Sequence, residues 1–300
     1  MNIVHKSVLL SEVVEILTNN IKTNDLIIDG TLGRGGHFFA LLKLFNKFLA
    51  LDADACSVNY VRTRLIENGF VVNNNLLTKD KSSVLLLNDN FVNVVEILNA
   101  NKLEPRALLL DLGISMYQIK ESKRGFSFLG LGEDLDMRID PVKNQVTAKG
   151  LLNGLSKKEL AELFLSLGEE YQAKKYANLI VNYRKTKRIE KVGDLIKALK
   201  INSTLKYKIH PATKVFMALR IAVNSEHINL KQTLLSVSDL IKNGLLVLVI
   251  TFHSLEEMTV KNYCKDNNFK FKKFYPTEEE LKINNSARSA VLYFIKNDKK

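Results

Sequence analysis

Apolar residues fall in short dense runs at 26–29, 48–51 and 107–110, with stretches of helical spacing between them. Such runs predict strands buried on both faces, and the helical stretches between them predict crossover connections that keep the strands parallel. Each run meets an acid at its C-terminal end: Asp29, Asp52 and Asp111. Ligands of open α/β sheets bind outside the carboxyl ends of the strands, so three carboxylates are predicted to converge on one rim.

Beyond Asp111 the pattern changes. Residues 113–140 are rich in Gly, Ser and charge and predict a long loop, and helical periodicity runs from Ser156 to about Lys200. Ser156 with Glu159 has the spacing of a capping box, in which two side chains satisfy free amides at a helix start. Pro211 suits the first turn of another helix running through Val223. Strand character returns at 245–251, with further apolar runs near Phe269 and Val291, and 73–75 is a short polar patch. The organisation predicted is α/β: a discontinuous nucleotide-binding domain, 1–116 and 211–300, interrupted by a mostly helical insertion, 117–210, that serves substrate recognition.

Composition narrows the partners. The 300 residues are 46% hydrophobic, enough for a full core, and 44 Lys and Arg against 32 Asp and Glu leave a net charge of +12. A surplus of that size attracts polyanions by long-range fields and counterion release, which ranks nucleic acid ahead of an anionic membrane. Compositional drift toward Lys gives the same balance. No secretory or transit pattern opens the chain and no apolar run reaches membrane-spanning length, so a soluble cytoplasmic protein is expected. Cys56 and Cys264 stand apart from each other and from any Cys/His cluster, so neither a metal site nor a disulfide framework is expected.

The central clue is Asp29-Gly30-Thr31-Leu32-Gly33-Arg34-Gly35-Gly36-His37, between the first strand and a helix. Glycines there let the backbone turn sharply and approach a ligand closely. The spacing is not the dinucleotide fingerprint GxGxxG, because Phe38 stands three residues after Gly35. It resembles the acid-led DxGxGxG loop of class I methyltransferases, with Thr31 in the place of the first glycine. Asp52, about 20 residues on, suits the two ribose hydroxyls of a nucleoside. A purely structural turn and a nicotinamide enzyme remain alternatives, as does a solvated helix-start role for His37.

Along nearly its whole length the chain resembles the RsmH (MraW) family of ribosomal RNA cytidine N4-methyltransferases. The matching stretches, in order, are 5–10, 33–37, Asp111-Leu112-Gly113-Ile114-Ser115, Arg124-Gly125-Phe126-Ser127-Phe128, Leu135-Asp136-Met137-Arg138, 168–170, 210–213, 218–224, Phe252-His253-Ser254-Leu255-Glu256 and 288–290. The resemblance implies a class I S-adenosylmethionine-dependent methyltransferase fold (Rossmann-like) with a helical insertion, and S-adenosylmethionine as methyl donor. It implies as substrate a cytidine in the decoding region of 16S ribosomal RNA, presented as free RNA or in the assembled small subunit. The family's cofactor positions fall on Gly35, Gly36, His37, Asp52, Asp111 and Gln118. Gly33 of the same loop is a further cofactor candidate, and Phe91 is either an adenine-packing position or plain core. The sequence departs from the family pattern at Ser115-Met116-Tyr117-Gln118, where Ser-Ser-Pro-Gln is usual, and at Glu257, which replaces the acid of the Ser-Leu-Glu-Asp run.

A sulfonium methyl is already electrophilic, so alignment is the protein's main task and no metal is required. The exocyclic amine shares its lone pair with the ring, and acceptors for its N–H groups would localise that pair. Ser115 and Asp111, just past a strand end, are the catalytic candidates for this, with Tyr117 as a stacking partner for an extruded base. Ser115 as a turn cap and Tyr117 as packing are the competing assignments. Arg124, Arg138, Arg220, His253 and Arg288 are candidate RNA contacts, and the basic run Arg184, Lys185, Lys187, Arg188 and Lys191 is either a further one or a solvated face. A DNA N-methyltransferase and a nonenzymatic RNA-binding assembly protein on the same scaffold are the alternatives, though the chain lacks the Pro-Pro acceptor motif common in the former. A homodimer stays open.

Overall fold

The computed structural model describes residues 7–201 and 210–297. His5 and Lys6, at the head of the first matching stretch, lie outside them. The chain divides into two compact units, Met1–Gly113 with His227–Lys300, and Ile114–Glu226.

The first unit is built on one nine-stranded sheet. Its strands are β1 (Leu26–Asp29), β2 (Lys47–Asp52), β3 (Val71–Asn73), β4 (Leu76–Lys79), β5 (Ser82–Asn88), β6 (Pro105–Asp111), β7 (Leu246–Thr251), β8 (Lys270–Phe274) and β9 (Val291–Lys296), in the spatial order β3-β4-β5-β2-β1-β6-β7-β9-β8. The central five, β5, β2, β1, β6 and β7, are parallel; β9 runs against β7, and β8 against β9. A parallel core closed by a reversed strand, with the chain turning from one side of β1 to the other, is the class I methyltransferase arrangement that the resemblance implies.

Alternation along the strands feeds two separate cores. Ile27, Phe48, Ala50, Leu109 and Leu248 face one side, with helices Leu10–Asn20, Gly36–Leu41 and Ala55–Glu67. Ile28, Leu49, Leu51, Leu108, Leu110, Val247 and Val249 face the other, with helices Val94–Asn101 and Ser254–Asp266. Burial on both faces is why these strands read as unbroken apolar runs.

Strand β5 and the β3–β4 hairpin were not among the predicted strands. The polar patch 73–75 is the turn of that hairpin, with Asn74 left-handed at φ 55°. Asn tolerates that conformation, and an edge hairpin has little core to mark it as apolar. Val71 and Val72 are indeed exposed.

The second unit is helical: Ala148–Gly154, Lys157–Gly168, Ala173–Arg184, Val192–Ala198 and Ala212–Asn224, preceded by the irregular segment 121–147. The expected boundaries at 116/117 and 210/211 shift in the structure. Helix Ala212–Asn224 buries Val215, Phe216, Ala218 and Leu219 in the core of this unit with Leu160, Phe164 and Ile180. A side chain at Gly168 would sit 2.6 Å from the Lys214 carbonyl, so the glycine permits close approach of helices Lys157–Gly168 and Ala212–Asn224. Ser156 caps the former in the capping box its spacing predicts, and Pro211 opens the latter. Among the described residues, no helix is long and apolar enough to cross a membrane.

Candidate active site

Strand order reverses between β1 and β6, the place where open α/β sheets open a crevice at their carboxyl edge. Asp29 ends β1, Asp111 ends β6 and Asp52 ends β2. The loop after β1 passes over all three tips and is tied to each. Gly30 N–H donates to the Leu109 carbonyl at 2.9 Å and Leu32 N–H to Leu51 at 2.9 Å. Gly33 N–H donates to Asp52 Oδ2 at 2.6 Å, and Thr31 Oγ1 accepts the Asp111 N–H at 2.6 Å. Thr31, the departure from the glycine pattern, therefore bridges β1 to β6 with a hydroxyl that glycine could not supply.

The glycines have separate reasons. Gly33 and Gly35 are left-handed, φ 50° and 76°. Gly36 is not; a Cβ there would collide with Ser7 Oγ, so it permits the segment before helix Leu10–Asn20 to lie against the loop. At Gly30 a Cβ would meet Leu110 Cδ2 at 2.6 Å and Phe91 Cβ at 3.1 Å. Phe91 thus stands beside the tip of β1, half-buried, at the start of a short 3-10 turn capped by Asn90.

The carboxylates differ. Asp29 is buried, and loss of water pushes its carboxyl up to about 7 against the pull of His37 and the Thr31 amide. Asp52 Oδ1 accepts the Asp54 N–H at 2.7 Å, and Asn88 Nδ2 holds the Asp52 and Ala53 carbonyls, fixing the tip of β2. Asp111 Oδ2 lies 3.4 Å from His37 Nδ1, and its Oδ1 is buried with no hydrogen-bond partner among the described residues. A buried acceptor without a donor is costly, and a bound ligand would relieve it. His37 itself is buried. Burial alone would lower its proton affinity, but the hydrogen bond and charge of Asp111, followed by Asp29 and the Val8 carbonyl, leave it raised above the ordinary imidazole value.

Gly33, Gly35, Gly36, His37, Asp52, Phe91 and Asp111 all belong to the first unit, while Ser115, Tyr117 and Gln118 belong to the second. There the Ser115 and Gln118 side chains form a capping box at helix Met116–Lys120: Ser115 Oγ accepts the Gln118 N–H at 3.3 Å and Gln118 Oε1 accepts the Ser115 N–H at 2.8 Å.

Several candidate RNA contacts prove to be internal ties. Arg124 Nη1 donates to the carbonyls of Arg138 and Ile139. Arg138 grips Asp136 with two bonds, at 2.8 and 2.7 Å, and spends its remaining nitrogen on the Pro141 and Asn144 carbonyls. Arg220 is bidentate to Glu226. His253 caps helix Ser254–Asp266, its Nδ1 accepting from the Glu256 N–H. In the basic run, Arg184 donates to the Leu152 and Leu155 carbonyls at the end of helix Ala148–Gly154, Lys187 pairs with Asp194, and Arg188 with Glu190. Arg124 and Arg138 are committed because the irregular segment 121–147 lacks the regular backbone pairing of a helix or sheet, so side chains must satisfy its carbonyls. Arg288 is exposed. What sequence reasoning missed were the supports: Ser7 against Gly36, Val8 against His37, and Thr31 and Asn88 at the strand tips. A polar residue bonding far along the chain leaves no local pattern.

The MraW methylase family model matches residues 2–298. The chain is 38% identical to a Dictyoglomus thermophilum protein named ribosomal RNA small subunit methyltransferase H, over 96% of this chain and 95% of that one. Proteins of the same name from Leptospira interrogans and Coprothermobacter proteolyticus are 35% and 34% identical, covering 99% and 97% of this chain and 90% and 95% of theirs.

Proposed function

The chain belongs to the MraW methylase family, and from that membership we propose that it transfers a methyl group from S-adenosylmethionine to the exocyclic N4 of a cytidine in 16S ribosomal RNA. The small-subunit RNA is the substrate in the names of its relatives; the decoding-region cytidine and the N4 atom come from the family resemblance. The observation that most supports the reading is the cradle at the β1–β6 crevice, where a glycine loop lies over three strand-tip carboxylates and one acceptor, Asp111 Oδ1, is left for a ligand.

The residues present fit the cofactor. Gly33, Gly35 and Gly36 keep the loop free of side chains where a ligand would approach. Asp52 is placed to accept from ribose hydroxyls once its bond to Gly33 is shared, and Phe91 offers an apolar face for an adenine. When bound, the cofactor supplies an activated methyl group; the chain's own work is to hold and orient. Asp111 accepts N–H. Ser115 and Tyr117 are proposed to serve the acceptor base, Gln118 the cofactor, and Arg288 to contact RNA. The cytoplasm, where small subunits mature, is the proposed location.

The test is transfer of labelled methyl from S-adenosylmethionine to small subunits lacking the modification, followed by nucleoside mass spectrometry. N4-methylcytidine in 16S RNA is expected. Label on another nucleoside, or none with subunits and free RNA alike, overturns the reading.

A further inference from the structure

Both ring nitrogens of His37 face oxygen acceptors. Nε2 lies 2.9 Å from the Val8 carbonyl and Nδ1 3.4 Å from Asp111 Oδ2. A carbonyl accepts only, and so does an ionised carboxylate. Either neutral tautomer would set a nitrogen lone pair against one of these oxygens, whereas the doubly protonated ring satisfies both. We propose that His37 is held as an imidazolium and acts as a positioning residue, fixing Asp111 by one oxygen so that the other is kept for an N–H donor of the bound ligand.

The Val8 carbonyl is itself fixed from the far end of the chain. Leu9 is left-handed at φ 54°, and its N–H donates to Glu280 Oε1 at 3.0 Å, a buried bond spanning 271 positions. Ser7 closes over Gly36 from the same segment. The ring thus sits between a carbonyl that cannot turn and a carboxylate that could, and only the carboxylate responds to it. The charged groups that face the ring are Asp111 and Asp29, and both favour its cationic form. Asp111 Oδ1, buried without a partner, is what the arrangement leaves over. His37, expected from the resemblance to touch the cofactor, has both nitrogens engaged within the protein and acts through Asp111 instead.

Two donors share the chemistry that Oδ1 would recognise: the ammonium of the cofactor's amino-acid end and the exocyclic amine of the acceptor base. Which ligand is involved rests on the methyltransferase reading; the charge on the ring does not. The first experiment is therefore NMR of the ligand-free wild type with ring-15N histidine, the His37 signals being assigned by their loss in His37→Gln or, if that variant does not fold, by proximity to Val8 and Gly36. Both ring nitrogens protonated at pH 7.5 is the expected result, and a neutral ring overturns the proposal. In Asp111→Asn the imidazolium signature should be lost at the same pH; its persistence overturns the pairing.

The second experiment compares His37→Gln with the wild type by calorimetry, using S-adenosylhomocysteine and methylthioadenosine, which lacks the amino-acid end. An affinity loss of tenfold or more confined to S-adenosylhomocysteine assigns Oδ1 to the ammonium. Unchanged affinity for both with a tenfold slower single-turnover methyl transfer assigns it to the acceptor amine. Equal losses for both ligands, or no change in binding and transfer, overturn the positioning role. If wild type binds neither ligand, the methyltransferase reading fails while the NMR result stands.

Discussion

The Gly33 N–H donates to Asp52 Oδ2 at 2.6 Å, nineteen positions away, so the carboxylate at the tip of β2 anchors the glycine loop before any ligand arrives. Asp52→Ala removes that anchor together with the acceptor for ribose hydroxyls. Affinity for S-adenosylmethionine should fall by tenfold or more, about 1.4 kcal/mol per decade, with a lowered but still cooperative thermal transition, because the Gly33 and Asp54 N–H groups lose their acceptor. Calorimetry reads this, and undiminished affinity would remove Asp52 from the site.

Gly36→Ala should destabilise the protein by about 1–3 kcal/mol, the usual cost of forcing an extra methyl into a packed interior. The new Cβ would meet Ser7 Oγ, not backbone, so Ser7→Gly in the same chain should recover much of the loss. Urea unfolding of the single and double variants checks it. No recovery would mean that the conflict lies elsewhere in the loop.

The ligand-free protein should lose stability as pH rises from about 4 to about 7. Asp29, pushed up to about 7 by burial, keeps a proton in the folded state that the unfolded chain has given up by about pH 4. His37 acts in the same direction, because the folded ring holds its proton more tightly than the unfolded one and its contribution fades as pH passes the raised folded value. Asp29→Asn, whose amide oxygen can still accept from Thr31 N–H, should flatten much of the slope between pH 4 and 7. Denaturant melts at pH 4.5 and 7.5 measure it, and an unaltered slope in the variant assigns the pH dependence to other groups.

Arg138→Lys should cost about 2 kcal/mol, less than breaking a fully buried pair because water partly screens this one. Lysine cannot reproduce the two-pronged bond to Asp136 while also reaching the Pro141 and Asn144 carbonyls. The salt dependence of RNA binding should stay the same. Arg288→Ala should do the reverse, leaving stability intact and reducing the salt slope by about one unit, the mark of a lost phosphate contact. Equal slopes in both variants would remove Arg288 from the RNA interface.

What the chain discloses by itself follows from distance along it. The runs ending at Asp29, Asp52 and Asp111 are legible because burial on both faces makes a strand apolar throughout, and the Ser156–Glu159 box because its partners are three residues apart. The bond from Thr31 to Asp111 spans 80 positions and that from Leu9 to Glu280 spans 271, and no local pattern announces either. The arginines mislead for a related reason. Arg124 and Arg138 occur in an irregular segment, where a cation bonding backbone carbonyls looks, in sequence, the same as one awaiting a phosphate.

Ser115 presents that ambiguity in its most testable form. Its hydroxyl is proposed to serve the acceptor amine, yet in the structure it caps the five-residue helix Met116–Lys120. Ser115→Ala removes both functions, and loss of a cap costs about 1 kcal/mol, enough to fray so short a helix. Ser115→Gly separates them, because glycine at a cap position costs only about a few tenths of a kcal/mol yet offers no side-chain acceptor. If capping is the dominant contribution, single-turnover transfer should drop several-fold in Ser115→Ala and return to near wild type in Ser115→Gly, with S-adenosylhomocysteine affinity little changed in either. Transfer that stays low in the glycine variant despite a restored helix would place the hydroxyl in the chemistry.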